Sequence, residues 1–302
     1  SDPRVSRQHA RIDIRSGNYV FEDTSSYGSW VRFGQDSGPQ AELVLHNWQV
    51  FGASLRSGDI GFAETFIAGD WETPDLTCLL QLLVVNRRPM DDMIFGTWWG
   101  RLFYQLRHWM RRNNKRNSSK NIHAHYDLGN AFYELWLDGT MNYSSALFEG
   151  DYKQSMGDAQ RAKVRRALRM TDVGVGSRVL EIGCGWGALA EMATMDFGAS
   201  VTGVTLSTEQ LAFANARMKW NGKAEKADLR LQDYRDIDDG PYDAICSIEM
   251  IEAVGKEFWP TYFQTVSQQL KPGGKACIQS IVIDDALFDR YVKSTDFIQQ
   301  YI

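Results

Sequence analysis

The sequence lacks the patterns that mark several common classes of protein. No apolar run approaches the roughly 20 residues that a membrane-spanning helix needs. The four cysteines form no pair at the CxxC spacing of a metal or redox site, and the five histidines form no HExxH motif. We therefore expect no metal site, and reduced thiols in a cytoplasmic protein are the simplest interpretation.

The chain has no excess of basic residues either. Among 302 residues, Lys and Arg number 33 and Asp and Glu 38, which gives a net charge of −5. This balance gives no support for a dedicated nucleic-acid-binding protein. Hydrophobic residues make up 43% and charged residues 24%, which is ordinary for a soluble globular protein. The first 17 residues are polar throughout, so no signal peptide is expected.

Three stretches of the chain differ in pattern and predict three domains. Residues 1–38 contain short alternating strands, residues 39–120 are mixed and become helical, and residues 121–302 alternate strands with helices. The last pattern predicts a mostly parallel, doubly wound α/β sheet. Its predicted strands are Ser177–Ile182, Ser200–Thr205, Asp228–Gln232, Tyr242–Ile248 and Lys275–Ile283. Such a sheet needs more chain than follows the fifth strand, so we expect its C-terminal edge to be incomplete.

A glycine-rich turn connects the first of these strands to the next predicted helix. Residues 179–187 read VLEIGCGWG, and Gly183 and Gly185 permit positive φ and a close approach of a ligand to the backbone. A dinucleotide fingerprint would read G-x-G-x-x-G, with an acidic residue about 20 residues later. This turn reads G-x-G-x-G instead. It resembles the first motif of S-adenosylmethionine (SAM)-dependent methyltransferases, and a plain strand–helix connection is the alternative.

Further motifs follow one another along the chain. They read HAHYDLGN at 123–130, MNYSSA at 141–146, GVTLS at 203–207, LQDYRD at 231–236 and IEAVG at 251–255. Together with the glycine turn they resemble the cyclopropane-fatty-acyl-phospholipid synthase family, which is related to the mycolic acid cyclopropane synthases. The resemblance covers residues 39–302. It implies a Rossmann-like class I SAM-dependent methyltransferase sheet with a small N-terminal α+β domain.

The resemblance also implies an activity. A double bond of an unsaturated acyl chain in a membrane phospholipid takes the methyl carbon of SAM, a carbocation forms, and proton loss closes a cyclopropane ring. Bound bicarbonate is the implied proton acceptor. Aromatic faces and the exclusion of water would stabilise the cation.

Individual residues carry roles by the same resemblance. The implied SAM-binding residues are Tyr143, Ser144, Gly183, Gly185, Thr205, Leu206, Gln210, Asp233 and Tyr234. The implied catalytic residues are Glu252, Ser145, Gln279 and Ile281. Asp233 would accept a hydrogen bond from the adenine amino group, and Glu252 would hold the bicarbonate. The alternatives are a solvated turn acid for Asp233 and an acid favoured by a helix dipole for Glu252.

Several positions depart from the family's pattern. Ser145 stands where Cys is common, and Gln279 stands where His is common; a Gln amide donates a hydrogen bond but carries no proton. Ala253 replaces another common His, and the family's catalytic Tyr has no counterpart up to Ile302. A fatty-acyl C-methyltransferase that gives a methyl or methylene branch is therefore an alternative function. An inactive SAM- or lipid-binding module is another.

A basic aromatic segment at residues 96–120 precedes these motifs. Its Trp, Phe, Leu and Met side chains recur at helical spacing, and its basic residues have no acid between them. A basic amphipathic helix of this kind suits an anionic membrane surface, although a core helix followed by a basic linker is the alternative. We therefore expect a phospholipid membrane as partner and a peripheral location on the inner face of the cell membrane. A homodimer is a further expectation.

The N-terminal stretch carries a second, weaker resemblance. VSRQHA at 5–10 and FEDTSSYGSWV at 21–31 resemble the second half of a forkhead-associated (FHA) domain, a type of domain that binds phosphothreonine peptides. Tyr27 stands where an Asn usually contacts the peptide, and the first half is missing. We therefore do not expect phosphopeptide binding, and a phosphopeptide-reading adaptor is kept as the alternative.

Overall fold

The computed structural model describes residues 10–15, 18–23, 29–33, 41–85 and 129–292. The chain divides into two compact units, one formed by residues 1–110 with 285–302 and the other by residues 111–284. The strands are β1 (Ala10–Arg15), β2 (Asn18–Asp23), β3 (Ser29–Phe33), β4 (Ala41–Leu45), β5 (Trp71–Glu72), β6 (Arg178–Ile182), β7 (Ser200–Thr205), β8 (Ala227–Leu231), β9 (Tyr242–Ile248) and β10 (Leu270–Gln279). The helices are α1 (Gln49–Ile67), α2 (Leu76–Val85), α3 (Asn130–Glu134), α4 (Met156–Met170), α5 (Ala188–Met195), α6 (Thr208–Trp220), α7 (Trp259–Gln269) and α8 (Asp285–Val292).

The first unit contains antiparallel sheet and helix. β1 pairs with β2, and β4 pairs with both β3 and β5. Alternation along β4 directs Leu43 and Leu45 into a core with residues of α1 and α2. Trp71 lies in that core, where its indole N–H donates to the carbonyl of Phe62 at 3.1 Å. A small α+β domain was predicted for residues 39–120, and β1, β2 and β3 lie in the stretch 1–38 for which short strands were predicted.

The second unit is built on a five-stranded parallel sheet in the order β10-β9-β6-β7-β8. Its three central strands, β6, β7 and β9, are runs of mostly buried residues, as expected for strands covered on both faces. The chain moves outward from β6 to β7 and β8, and then returns to the other side of β6 to form β9 and β10. The carboxyl ends of β6 and β9 therefore flank the point where strand order reverses, which is where doubly wound sheets bind ligands.

The predicted fifth strand was wrong in its bounds. The sequence predicted Lys275–Ile283, because Lys271-Pro272-Gly273-Gly274 looks like a break. In the structure Leu270 already pairs with Tyr242, and a register shift before Lys275 absorbs those four residues. Pairing ends at Gln279, and Ile281 is 69% exposed in the segment that follows.

Two absences hold for the described part of the chain. No helix there is long and apolar enough to cross a membrane. No group of three or more His, Cys, Asp or Glu side chains lies close enough together there to hold a metal ion. The basic aromatic segment at 96–120 and residues 123–128 of the first motif fall outside the described residues.

Candidate active site

The glycine turn lies at the reversal point of the sheet. The amides of Gly183 and Cys184 both donate to the carbonyl of Val204 at 3.0 Å, which fixes the turn against the end of β7. Gly183 and Gly185 have φ of 84° and 50°. A Cβ at Gly183 would lie 2.9 Å from the Cγ of Met250, whereas one at Gly185 would meet nothing within 4 Å. The space beside the backbone at Gly185 is therefore open, whereas at Gly183 it is filled by Met250.

Two buried polar side chains of α4 hold the loop at residues 141–145. Lys163 donates to the Ser144 hydroxyl at 2.5 Å and to the Asn142 side-chain oxygen at 3.4 Å. Gln160 donates to the Ser144 carbonyl at 2.7 Å. Lys163 and Gln160 are only 5% and 3% exposed. Ser144, one of the predicted SAM-binding residues, is thus fixed at both its hydroxyl and its carbonyl group.

Lys163 is also electrostatically coupled to Glu181, the acid of β6 that lies two residues before Gly183. Burial lowers the pKa of Lys163 to about 8, although the charges of Glu249, Glu181 and Asp138 oppose that change. Burial raises the pKa of Glu181 to about 8, opposed by the Ala190 amide and by the charge of Lys163. Oε2 of Glu181 has no hydrogen-bond partner among the described residues. Sequence reasoning missed both roles, although an acid inside a buried strand is a visible signal.

An aromatic cluster lies beside the glycine turn. It consists of Tyr133, Trp136, Tyr143 and Trp186, with neighbouring ring centroids 5.0 to 5.8 Å apart. The Trp186 indole donates to the Asn130 side chain at 2.7 Å, and Arg217 donates to the carbonyls of Trp186 and Thr140, each at 3.0 Å. These bonds fix the cluster beside the turn. Its ring faces can stabilise a cation, such as a sulfonium or a carbocation.

At the carboxyl end of the sheet, one carboxylate oxygen of Glu249 accepts hydrogen bonds from two other residues. Oε1 of Glu249 accepts from the Ser145 amide at 2.9 Å, the Ser145 hydroxyl at 2.6 Å and the Gln279 side-chain amide at 2.8 Å. The backbone amide of Glu249 donates to the Gln279 carbonyl at 2.8 Å. Sequence reasoning placed Ser145 and Gln279 in one site but missed Glu249, which directly follows the last residue of β9. An acid at the carboxyl end of a parallel strand was the available signal.

The other two predicted catalytic residues form a separate contact. The backbone amide of Ile281 donates to Oε1 of Glu252 at 2.5 Å, and both residues are exposed. The structure therefore pairs Ser145 with Gln279 on Glu249, and Glu252 with Ile281.

A bicarbonate does not fit the Ser145–Gln279 end of the site. The N–H of Ser145 and the side-chain amide of Gln279 are the donors that a bound anion would need there. Both already donate to the carboxylate of Glu249. A second anion at the same place would lack donors and would be repelled by the first.

The predicted adenine end is arranged around Asp233. Arg235 donates to its carboxylate through the backbone amide at 2.9 Å, through Nε at 2.8 Å and through Nη2 at 2.5 Å. Asp233 is therefore an ion-paired acid rather than the solvated turn acid that was the alternative. Tyr234 is 8% exposed, and its hydroxyl has no hydrogen-bond partner in the described part of the chain.

The predicted ribose end is occupied by a side-chain pair. Thr205 donates its hydroxyl proton to the Gln210 side-chain oxygen at 2.9 Å, and the two residues are 7% and 4% exposed. Ser207 caps the N-terminus of α6, and its hydroxyl accepts from the Gln210 amide at 3.2 Å. These bonds orient the start of α6 toward the end of β7, with Leu206 half-buried between them.

Two family models match the chain. The model described as "Mycolic acid cyclopropane synthetase" matches residues 113–302, and that of the FHA domain matches residues 1–51. The second match extends the predicted FHA-like stretch beyond residue 38.

Two curated relatives match most of the chain. Tuberculostearic acid methyltransferase UfaA1 of Mycobacterium tuberculosis is 37% identical over 82% of the chain and 58% of its own length. Cyclopropane-fatty-acyl-phospholipid synthase of Escherichia coli strain K12 is 31% identical over 80% of the chain and 61% of its own length. The chain thus spans about three fifths of these relatives.

Two solved structures resemble the fold. The cyclopropane synthase MmaA2 from Mycobacterium tuberculosis superposes with a TM-score of 0.54 at 29% identity, covering 60% of this chain and 64% of that one. Mycolic acid cyclopropane synthase CmaA1, complexed with SAH and CTAB, superposes with a TM-score of 0.50 at 32% identity, covering 53% and 55%. The predicted fold class is confirmed by these likenesses and by the parallel sheet.

Proposed function

Because the chain belongs to the mycolic acid cyclopropane synthetase family, we propose that it transfers the methyl carbon of SAM to the double bond of an unsaturated fatty acyl chain. The observation that carries this proposal is the open backbone of Gly185 at the reversal point of the sheet, next to the aromatic cluster. A nucleoside can approach the turn there, and the rings cover the side on which a cation would form.

The residues around the turn fit SAM. When bound, SAM supplies an electrophilic methyl group on a sulfonium. Gly185 would leave room for it along the backbone, and Ser144 would present its hydroxyl to the amino-acid end. Lys163 keeps that hydroxyl in place. Methyl transfer itself depends on orientation and exclusion of water more than on acid–base catalysis, and the buried anchors of the loop serve that need.

The product we propose is the cyclopropane ring, and a methylene branch is the second candidate. The second candidate is favoured by Gln279, which cannot carry a proton where a His is common, and by the similarity to a relative named as a tuberculostearic acid methyltransferase. Both products leave from the same carbocation by loss of one proton. Both lose a proton of the transferred methyl group. The ring forms when the cation is still on the neighbouring carbon, whereas the methylene forms after a 1,2-hydride shift has moved the cation to the carbon that bears the methyl group.

The test is a labelling assay on the full chain. The protein is incubated with SAM carrying a trideuterated methyl group and with vesicles of a monounsaturated phospholipid. We expect two deuterons to be retained per new carbon, and deuterium NMR of the fatty acids then distinguishes a ring from an exocyclic methylene. Vesicles of saturated phospholipid are the control and should stay unlabelled. The proposal would be contradicted if every unsaturated phospholipid tested also stayed unlabelled.

A matched pair of variants ties the activity to the turn. Gly185→Ala and Gly222→Ala both place a Cβ at a residue with positive φ and with nothing within 4 Å. Their backbone strain is therefore comparable, but only Gly185 lies in the turn. We expect SAM affinity, measured by calorimetry, to fall at least about tenfold in Gly185→Ala alone, since about 1.4 kcal/mol of lost contact has that effect.

We further propose that the protein works on the surface of a phospholipid membrane, at the inner face of the cell membrane. The support is the basic aromatic segment at residues 96–120 together with the similarity to a phospholipid-modifying relative. An acyl chain in a bilayer is reached only by a protein that docks there, and Trp with Arg on one amphipathic segment is suited to such docking.

A further inference from the structure

We propose, resting on the proposed function, that the carboxylate of Glu249 accepts the proton released after methyl transfer and takes the place of a bound bicarbonate. The juxtaposition that carries this inference is Glu249 at the end of β9 with Ser145 on one side and Gln279 on the other.

The hydrogen-bond donors of Ser145 and Gln279 bind a carboxylate of the protein itself rather than an external anion. Oε1 of Glu249 accepts three hydrogen bonds from Ser145 and Gln279, at 2.6 to 2.9 Å. Oε2 accepts none from the described residues, and the side chain is only half-buried. One oxygen therefore fixes the carboxylate, and the other is free to take a proton.

The backbone at Glu249 is held in an unusual conformation. Its φ is 48°, in the left-handed region that costs a residue with a side chain about 1 kcal/mol or more. The bond from its amide to the Gln279 carbonyl, at 2.8 Å, keeps it there. Strain of this kind persists where surrounding contacts enforce it, and it clusters at functional sites.

The carboxylate lies beside the surfaces that would surround the reacting carbons. The negative charge of Glu249 contributes to raising the pKa of Tyr143, a ring of the aromatic cluster, so the two groups lie in the same electrostatic environment. The next residue, Met250, is the side chain that a Cβ at Gly183 would touch. Glu249 therefore precedes a residue that lies against the glycine turn, and its charge acts on a ring of the aromatic cluster.

The chemistry balances without a further reactant. The alkene electrons form a bond to the methyl carbon as its bond to sulfur breaks, which leaves S-adenosylhomocysteine and a carbocation. A C–H bond of the transferred methyl group then gives its electrons to the cationic carbon. This closes the ring. A methylene forms instead when a 1,2-hydride shift first moves the cation to the carbon that bears the methyl group, so that the same C–H electrons make a double bond. The proton passes to Oε2 of Glu249 and from there to water.

Glu249→Gln is the informative variant. Its amide oxygen can still accept from Ser145, so the loop stays in place, but it has no basic oxygen. We expect turnover to fall at least about 100-fold, within the range typical of general bases, with SAM affinity unchanged. Glu225→Gln, at an exposed carboxylate before β8, is the matched control and should keep full turnover. Retained turnover in Glu249→Gln would overturn the inference while leaving the proposed function intact.

Bicarbonate provides a second measurement that does not need turnover. Carbon-13-labelled bicarbonate is titrated into the full chain saturated with S-adenosylhomocysteine, and binding is followed by NMR. We expect no saturable binding to the wild type. We expect binding to Glu249→Gly, where the donors of Ser145 and Gln279 are released and the backbone strain is relieved. Saturable binding to the wild type, or turnover that depends on added bicarbonate, would contradict the inference.

Discussion

Lys163 and Glu181 are both buried and interact electrostatically, and burial shifts their pKa values in opposite directions. Burial disfavours the ammonium of Lys163 and the carboxylate of Glu181, which brings both pKa values to about 8. Their mutual attraction offsets part of this cost. With a pKa of about 8, Lys163 is still mostly protonated at neutral pH, and its ammonium group donates to the Ser144 hydroxyl.

Glu181→Gln is expected to change how stability depends on pH. Because the folded-state pKa of Glu181 is raised from an ordinary value of 4.5 to about 8, the folded protein binds this proton more tightly. The resulting stability is full below pH 4.5 and is lost as the pH rises through 8. Gln has no such loss. We expect the variant to match the wild type at pH 5 and to be more stable at pH 8 by on the order of 3–4 kcal/mol, because each unit of the pKa shift is worth about 1.4 kcal/mol.

Urea unfolding at the two pH values measures this difference. Glu225→Gln is the control, because it removes an exposed carboxylate. It should shift neither midpoint. A Glu181→Gln protein that is less stable than the wild type by the same amount at both pH values would show that the carboxylate is ionised and stabilising.

Among the secondary-structure elements, the contact between α5 and α6 depends on a glycine. Gly187 precedes α5 with φ of 83°, and a Cβ there would lie 2.9 Å from the Cβ of Ala214 in α6. Gly222, which follows α6, has φ of 63° and open space around it. Alanine at either position strains the backbone, but only alanine at Gly187 also overlaps a neighbouring side chain.

Gly187→Ala should therefore destabilise the fold more than Gly222→Ala. The left-handed backbone costs each variant roughly 1–2 kcal/mol, and overpacking against α6 adds roughly 1–3 kcal/mol at Gly187 only. Chemical denaturation with an unchanged slope measures both. Equal losses in the two variants would mean that α5 and α6 move apart at no cost.

The sequence predicted most elements of the second unit but not the contacts of its site. Runs such as RVLEI and YDAICSI are short, apolar and bounded by turn residues, so periodicity and length sufficed for β6 and β9. β10 was misplaced because local turn residues suggested a break that pairing with β9 overrides. Ser145, Glu249 and Gln279 are far apart in sequence. The parallel pairing of β9 with β10 brings Glu249 beside Gln279, and the loop held by α4 brings Ser145 to them.

For the whole molecule, the proposed acyl-chain chemistry would require docking on a membrane. The net charge is −5, so the protein as a whole is repelled by an anionic bilayer. Only a local basic segment can reverse that. Residues 96–120 are the segment with this composition, and they lie between the FHA-like stretch and the catalytic unit in sequence.

Charge reversal in this segment should abolish docking. The variant replaces Arg111, Arg112, Lys115 and Arg116 with Glu. Each basic residue near an anionic surface contributes about 1 kcal/mol, so we expect the partition coefficient to fall at least about 100-fold. Sedimentation with vesicles of phosphatidylglycerol at low salt measures it, and added salt should weaken wild-type binding through screening.

A control must distinguish the effect of the protein's net charge from the effect of where the reversed charges lie. A second variant therefore reverses four exposed basic residues elsewhere, namely Arg56, Arg169, Lys219 and Lys226. It changes the net charge by the same amount, and wild-type sedimentation is expected if the segment at 96–120 is the docking element. Equal losses in both variants would show that total charge governs association, whereas unchanged sedimentation of the first would place docking elsewhere. Turnover on short-chain lipids dispersed in detergent should survive in both, because the glycine turn and Glu249 are untouched.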